Sequence, residues 1–121
     1  VPFSFFVHSG AHSAGEVTGY RQQNAQMAVT PLLPYDARLR FDLLAVELAA
    51  GAQSDSTAHE KGVIEQVVVL EGELLLGVEE TWRRLKQGEA FQFRADVAHS
   101  YRNPLDRRLR FHSLIHYLGR T

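Results

Sequence analysis

Apolar and polar positions alternate along most of this chain in short runs, with a period of two rather than 3.6, and turn residues interrupt them every few positions. Met27–Leu33 turns apolar and ends where Pro31, Pro34 and Tyr35-Asp36 force a rigid bend, because proline fixes φ and removes a backbone donor. Residues 38–49 alternate with Leu39, Phe41, Leu43 and Ala45 on one face and Leu44, Val46 and Leu48 on the other, the pattern of a strand lying between two layers. Residues 66–70 form a β-branched run closed by Glu71-Gly72. Glu73–Val78 and residues 81–85 follow, then residues 90–93 after the turn at Gln87-Gly88-Glu89. Residues 96–103 and Leu109–Tyr117 complete the series on either side of Asn103-Pro104. No stretch carries a three-turn amphipathic helix. Eight to ten short strands predict an all-β antiparallel sandwich or barrel.

Strand phase then sorts side chains. Alternation puts Glu65, Val67 and Val69 on one side of their strand and Val97, His99, Tyr101 and Asn103 on one side of theirs, sets that a closed barrel would turn toward one cavity. In the last strand His112, Leu114 and His116 share one face and Phe111, Ser113, Ile115 and Tyr117 the other; periodicity leaves open which one points inward.

Composition narrows the functional classes. With 121 residues and no cysteine, the chain has the length of one domain and uses neither disulfides nor thiolates, as suits a reducing cytoplasm. No uninterrupted apolar run is long enough to span a bilayer. Thirteen Lys+Arg against 14 Asp+Glu give a formal net charge of -1, so this stretch alone lacks the basic field that binds a phosphate backbone. Residues 8–25 are rich in Ser, Gly, Gln and Asn and read as linker, His8 and His12 included. The chain opens at Val1 without an initiator methionine, which predicts a fragment or processed product. No phosphate loop, dinucleotide fingerprint or nucleophile elbow is present.

Two clusters carry the chemistry, GAQSDSTAHEKGVIEQVVVLEG from Gly51 and GEAFQFRADVAHSYRN from Gly88. Five residues separate His59 from Glu65 and six separate Glu65 from Gly72; His99 follows Gly88 by eleven positions and precedes Asn103 by four. Two imidazoles and a carboxylate converging on one point offer the donors that Zn accepts, and Fe, Ni or Mn likewise. The other reading of the same residues is a metal-free pocket in which His59 and His99 serve as hydrogen-bonding lining. Tyr101 is placed by phase to donate a hydroxyl to a ligand, and Val67, Asn103 and Thr57 fall in the same set. Arg94 and Arg102 have the planar group that pairs with a carboxylate, although arginines in such positions are more often solvated.

The spacing resembles the two-motif signature of the cupin superfamily. Gly51, His59, Glu65, Gly72, Gly88, His99 and Asn103 match it, while Thr57 stands where the first histidine belongs, Arg94 in place of proline and Asp96 in place of the inner glycine. The resemblance implies a double-stranded β-helix, or jelly-roll, barrel over residues 26–121. A finer one covers residues 1–117: PLLPYD (31–36), HEKGVI (59–64), ADVAH (95–99) and FHSLIHY (111–117) are similar to phrases of the sensor cupins that end XRE-family helix-turn-helix regulators, in a subgroup linked to sulfur utilisation. VPFSFF at the start looks like the phrase that closes such a helix-turn-helix domain, or is an ordinary apolar anchor. This resemblance implies a small-molecule effector, with a sulfur-containing amino acid as the suggested class, bound near a divalent metal. It also implies a homodimer that reaches DNA through an N-terminal domain absent from this chain, with residues 1–25 as the connecting segment. The alternative is a stand-alone metal-dependent cupin enzyme, a dioxygenase or isomerase.

Overall fold

The computed structural model describes residues 26–59 and 61–117. Nine strands occur among them and no helix: β1 (Met27–Leu33), β2 (Phe41–Leu48), β3 (Gln53–Ser56), β4 (Val63–Glu71), β5 (Glu73–Val78), β6 (Thr81–Lys86), β7 (Ala90–Arg94), β8 (His99–Arg102) and β9 (Leu109–Tyr117). They form two antiparallel sheets, one of five strands in the order β1-β2-β9-β4-β7 and one of four in the order β3-β8-β5-β6. The all-β jelly-roll expectation is met. The linker expected over residues 1–25, with His8 and His12, lies outside the described residues.

The sequence dictates this layering through strict alternation. In β9 every odd residue from Leu109 to Tyr117 is buried and every even one half-buried, and β2 alternates in the opposite phase. The inner faces contribute Leu44, Val46, Leu48, Val63, Val67, Val69, Leu74, Leu76, Leu109, Phe111 and Ile115 to one core. At about 25 cal/mol per Å² of apolar surface, fully burying each such side chain contributes about 1.5–3 kcal/mol. The outer face of β2, with Phe41, Leu43 and Ala45, is only half-buried, because its apolar residues sit on the outside of the five-stranded sheet. Alternation also buries Asp42 completely, where it accepts a hydrogen bond from the Tyr117 hydroxyl at 2.9 Å.

The turns close where glycine allows it. Gly72 has φ +89° between β4 and β5, and its α-carbon sits against the Arg108 carbonyl, so close that an added Cβ would lie 3.1 Å from that oxygen. Asn103 ties the same end of the barrel together. Fully buried, its amide nitrogen donates to the carbonyls of Leu48, Ala49 and Arg107 at 3.2, 3.1 and 2.7 Å, and its oxygen accepts from the Leu105 amide at 3.0 Å. Asn103 was expected on the cavity wall; the structure places it in this loop knot instead. Trp82, half exposed, lays its indole over Gly77 on the outside of the β5–β6 hairpin.

Candidate metal centre and cavity

β4 and β8 carry two of the three expected ligands on rigid ladders, and the loop from β3 to β4 carries the third. Glu65 pairs with Phe93 of β7 and Ile115 of β9, which aims its side chain inward. His99 opens β8 opposite Ser56 and Val78. His59 is half-buried in the loop, and one ligand atom from each of the three residues lies within 4.8 Å of the others.

Local contacts fix the orientation of His99 and Glu65. Nδ1 of His99 donates to the Val97 carbonyl at 2.8 Å, which leaves Nε2 as the ring's other nitrogen. That Nε2 is sealed from solvent, 3.7 Å from Oε1 of Glu65, with no hydrogen-bond partner. The ring is edged by Phe93 and Tyr101 at centroid distances of 5.4 and 5.6 Å, with the His59 ring at 5.4 Å. Glu65, also sealed, accepts from the Tyr101 hydroxyl at 2.9 and 2.8 Å and from the Ser113 hydroxyl at 2.6 Å on Oε2. Burial pushes the Glu65 carboxyl up from its ordinary range, while nearby His99 and the two hydroxyls pull the other way. Tyr101 is pushed well up by burial and by the Glu65 charge beside it, so its hydroxyl stays a donor.

A buried imidazole nitrogen aimed at a carboxylate with nothing to bond is what a divalent cation would satisfy. Two nitrogens and one oxygen form a set that Zn, Fe, Ni or Mn accepts, with positions left over for a ligand. Ser113 engages Oε2 and the Tyr101 hydroxyl straddles both oxygens, with Oε1 the oxygen turned toward His99.

Beside this cluster lies a cavity of about 290 Å³. Met27, Val29, Leu44, Val46, Phe111 and Ile115 form an apolar wall, and Asp55, Ser56, Thr57, His59, Glu65, Tyr101 and Ser113 a polar one. No Lys or Arg lines it among the described residues. Asp55 keeps its carboxyl below the ordinary range through hydrogen bonds from the Gln53 amide and the Ser100 hydroxyl.

Of the expected site residues, His59, Glu65, Tyr101 and Thr57 do face this cavity, and His99 abuts it through Glu65 and His59. Val67 does not, since it packs wholly within the core. His112 and His116 lie on the outer face of β9 and cannot reach the cluster; Ser113 of the inner face does. Arg94 and Arg102 are exposed, Arg94 paired with Asp96. Ser113 and the apolar wall were not singled out in the sequence. A signal for Ser113 existed: counted from Leu109, its face carries Leu, Phe, Ile and Tyr, whereas the other begins with Arg110.

The family model for the cupin domain matches residues 44–115. This chain belongs to the cupin family. The cupin is 47% identical over 117 residues to the HTH-type transcriptional regulator SutR of Escherichia coli (strain K12), a match covering 97% of this chain and 65% of that protein. It superposes with a TM-score of 0.76 on the crystal structure of the cupin domain of an XRE family transcriptional regulator from Enterobacter cloacae, at 48% identity over 78% of this chain and 99% of that one. An HTH_3 family transcriptional regulator from Vibrio cholerae aligns over 98% of this chain and 66% of its own, with a TM-score of 0.85 and 28% identity. The cupin thus spans about two thirds of the length of the two longer regulators, and the resemblance to the cupin domains of XRE-family regulators is found again in the Enterobacter cloacae structure.

Proposed function

We propose that this cupin is the effector-sensing part of a helix-turn-helix transcriptional regulator, binding a small metabolite beside a divalent metal held by His59, Glu65 and His99. The observation that carries it is the pairing of an unpartnered, buried His99 Nε2 with a cavity that has one apolar and one polar wall. At about 290 Å³ the cavity falls at the small end of ligand pockets, about 300–1,000 Å³, which suits a metabolite and not a polymer. Zn is the first metal to test, and a sulfur-containing amino acid the first ligand class, since the SutR-like resemblance and the apolar wall both favour it. Thr57 and Tyr101 supply hydroxyls for its polar end.

In this reading residues 1–25 join a DNA-binding domain to the barrel of residues 26–121. The regulator acts in the cytoplasm as a homodimer. Sensing requires that the effector bind the DNA-competent and DNA-incompetent arrangements with different affinity. Open metal positions also favour a second reading, a metal-dependent dioxygenase or isomerase.

One experiment addresses both. The protein is loaded with Zn, Fe(II), Mn or Ni, its melting temperature is followed against a panel of amino acids and thiol metabolites, and each sample is assayed by mass spectrometry for consumption. A ligand present at 100 times its Kd raises stability by about 2.7 kcal/mol. A metal-dependent shift without consumption supports the sensor; consumption supports the enzyme; neither metal uptake nor any shift removes both.

A further inference from the structure

His59 is the one member of the donor set that no ladder holds. Glu65 and His99 ride on strands paired along their length, whereas His59 sits between β3 and β4, so its position depends on whatever fastens that loop. Among the described residues, the backbone fastenings of this loop run to one short segment, the corner that joins β7 to β8. The His59 amide donates to the Ala95 carbonyl at 2.9 Å, and the Ala95 amide donates to the Val63 carbonyl at 2.9 Å. The Gly62 amide donates to Oδ2 of Asp96 at 3.0 Å. Val97 of the same corner offers the carbonyl that orients the His99 ring. One corner therefore sets both imidazoles.

Among the described residues, Asp96 carries the corner's side-chain hydrogen bond to the loop. Its side chain is 6% exposed, and Arg94 closes over it from the solvent side through Nε and Nη2, both at 3.1 Å. A forked contact of this kind fixes direction as well as charge. Gly62, with φ +88°, turns its N–H toward the carboxylate in a backbone conformation that side chains disfavour. Arg94 and Asp96 are also the two positions at which the second motif departs from the cupin signature.

Resting on the metal reading above, we propose that the Arg94–Asp96 pair is a latch that positions the His59 loop and thereby sets the affinity of the metal centre. With Thr57 in place of a further imidazole, three protein ligands remain, and each misplaced donor matters more. Asp96 and Arg94 are positioning residues; neither touches the metal. An ordinary surface ion pair contributes about 0–1 kcal/mol and would leave metal binding alone.

The test compares D96A, D96N and R94A with the unmodified protein in three readouts: Zn and Co(II) dissociation constants by chelator competition, the Co(II) absorption spectrum, and amide exchange at His59 and Gly62 without metal. Losing an outer-shell partner typically costs about 10–100-fold in metal affinity. D96A is expected in that range, with an altered Co(II) spectrum and faster exchange at both amides. D96N keeps an oxygen for Gly62 and R94A keeps the carboxylate, so both lose less than D96A. A D96A protein with unchanged affinity and unchanged exchange overturns the proposal. Should D96A not fold, D96N and R94A decide, and equality of both with the unmodified protein overturns it. If the unmodified protein binds neither metal, the metal reading falls; faster exchange in the variants then retains the latch as a loop fastener, and unchanged exchange removes that too.

Discussion

Replacing Asn103 separates the fold from the site. In N103A the carbonyls of Leu48, Ala49 and Arg107 lose their shared donor and the Leu105 amide loses its acceptor. The amide nitrogen has two hydrogens for its three carbonyls, so the loss amounts to three hydrogen bonds' worth, at about 1 kcal/mol each, or about 3 kcal/mol. Orphaned buried groups add to this figure. Native domains hold about 5–15 kcal/mol in total, so this is a large share. For a domain of this size each kilocalorie moves the melting temperature by about 4–8 °C, which predicts a drop of about 12–24 °C by calorimetry. N103D, which keeps the acceptor but donates nothing, should fare no better. Metal and ligand affinity, measured well below the melting range, should be unchanged. A melting temperature within a few degrees of the unmodified protein, or lost metal binding with intact stability, would refute the assignment of Asn103 to the loop knot.

Other outcomes follow from the same contacts. H99A removes the buried Nε2 donor and is expected to abolish Zn uptake by elemental analysis. In metal-free protein the raised Glu65 pKa means that the folded state holds this proton more tightly than the unfolded chain. The contribution of this group to stability is therefore greatest below the ordinary carboxyl value of 4.5 and falls as pH rises through the raised one. E65Q should flatten that decline in EDTA and melt higher than the unmodified protein at neutral pH, while losing metal; a lower melting point there refutes the cost of burying the charge. S113A strips a donor from the buried carboxylate and should cost about 1.5–3 kcal/mol by urea titration at neutral pH. G72A forces a side chain into a left-handed turn against the Arg108 carbonyl and should cost at least about 1–2 kcal/mol.

What the sequence displays and what it hides divide along physical lines. Strands with one wet face announce themselves: alternation in β4 and β8 puts Glu65, His99 and Tyr101 on inner faces, whereas His59, on a loop, is legible only through its motif spacing. β3 was not read, because Gln53-Ser54-Asp55-Ser56 has no apolar member and buries only Ser54. Its strand character comes from pairing with β8, a long-range contact invisible to local pattern. Asp42 hides for the same reason, its partner Tyr117 being 75 residues away. Asn103 shows the limit of phase, which continued the β8 alternation one residue beyond Arg102, where the strand has already ended.

The strand order has a mechanical consequence. The cavity draws Met27 and Val29 from β1 and Asp55 and Ser56 from β3, and these are edge strands, each paired on one side only among the described residues. The cavity wall is thus built in part from two of the four edge strands, which yield more readily than inner ones, since moving an inner strand such as β9 breaks two ladders and moving β1 breaks one. Shape adaptation to guests of different width falls on these strands, while the floor that bears Glu65 stays stiff. Selectivity by size should accordingly be lax, and selectivity by the chemistry of the group that reaches the floor strict.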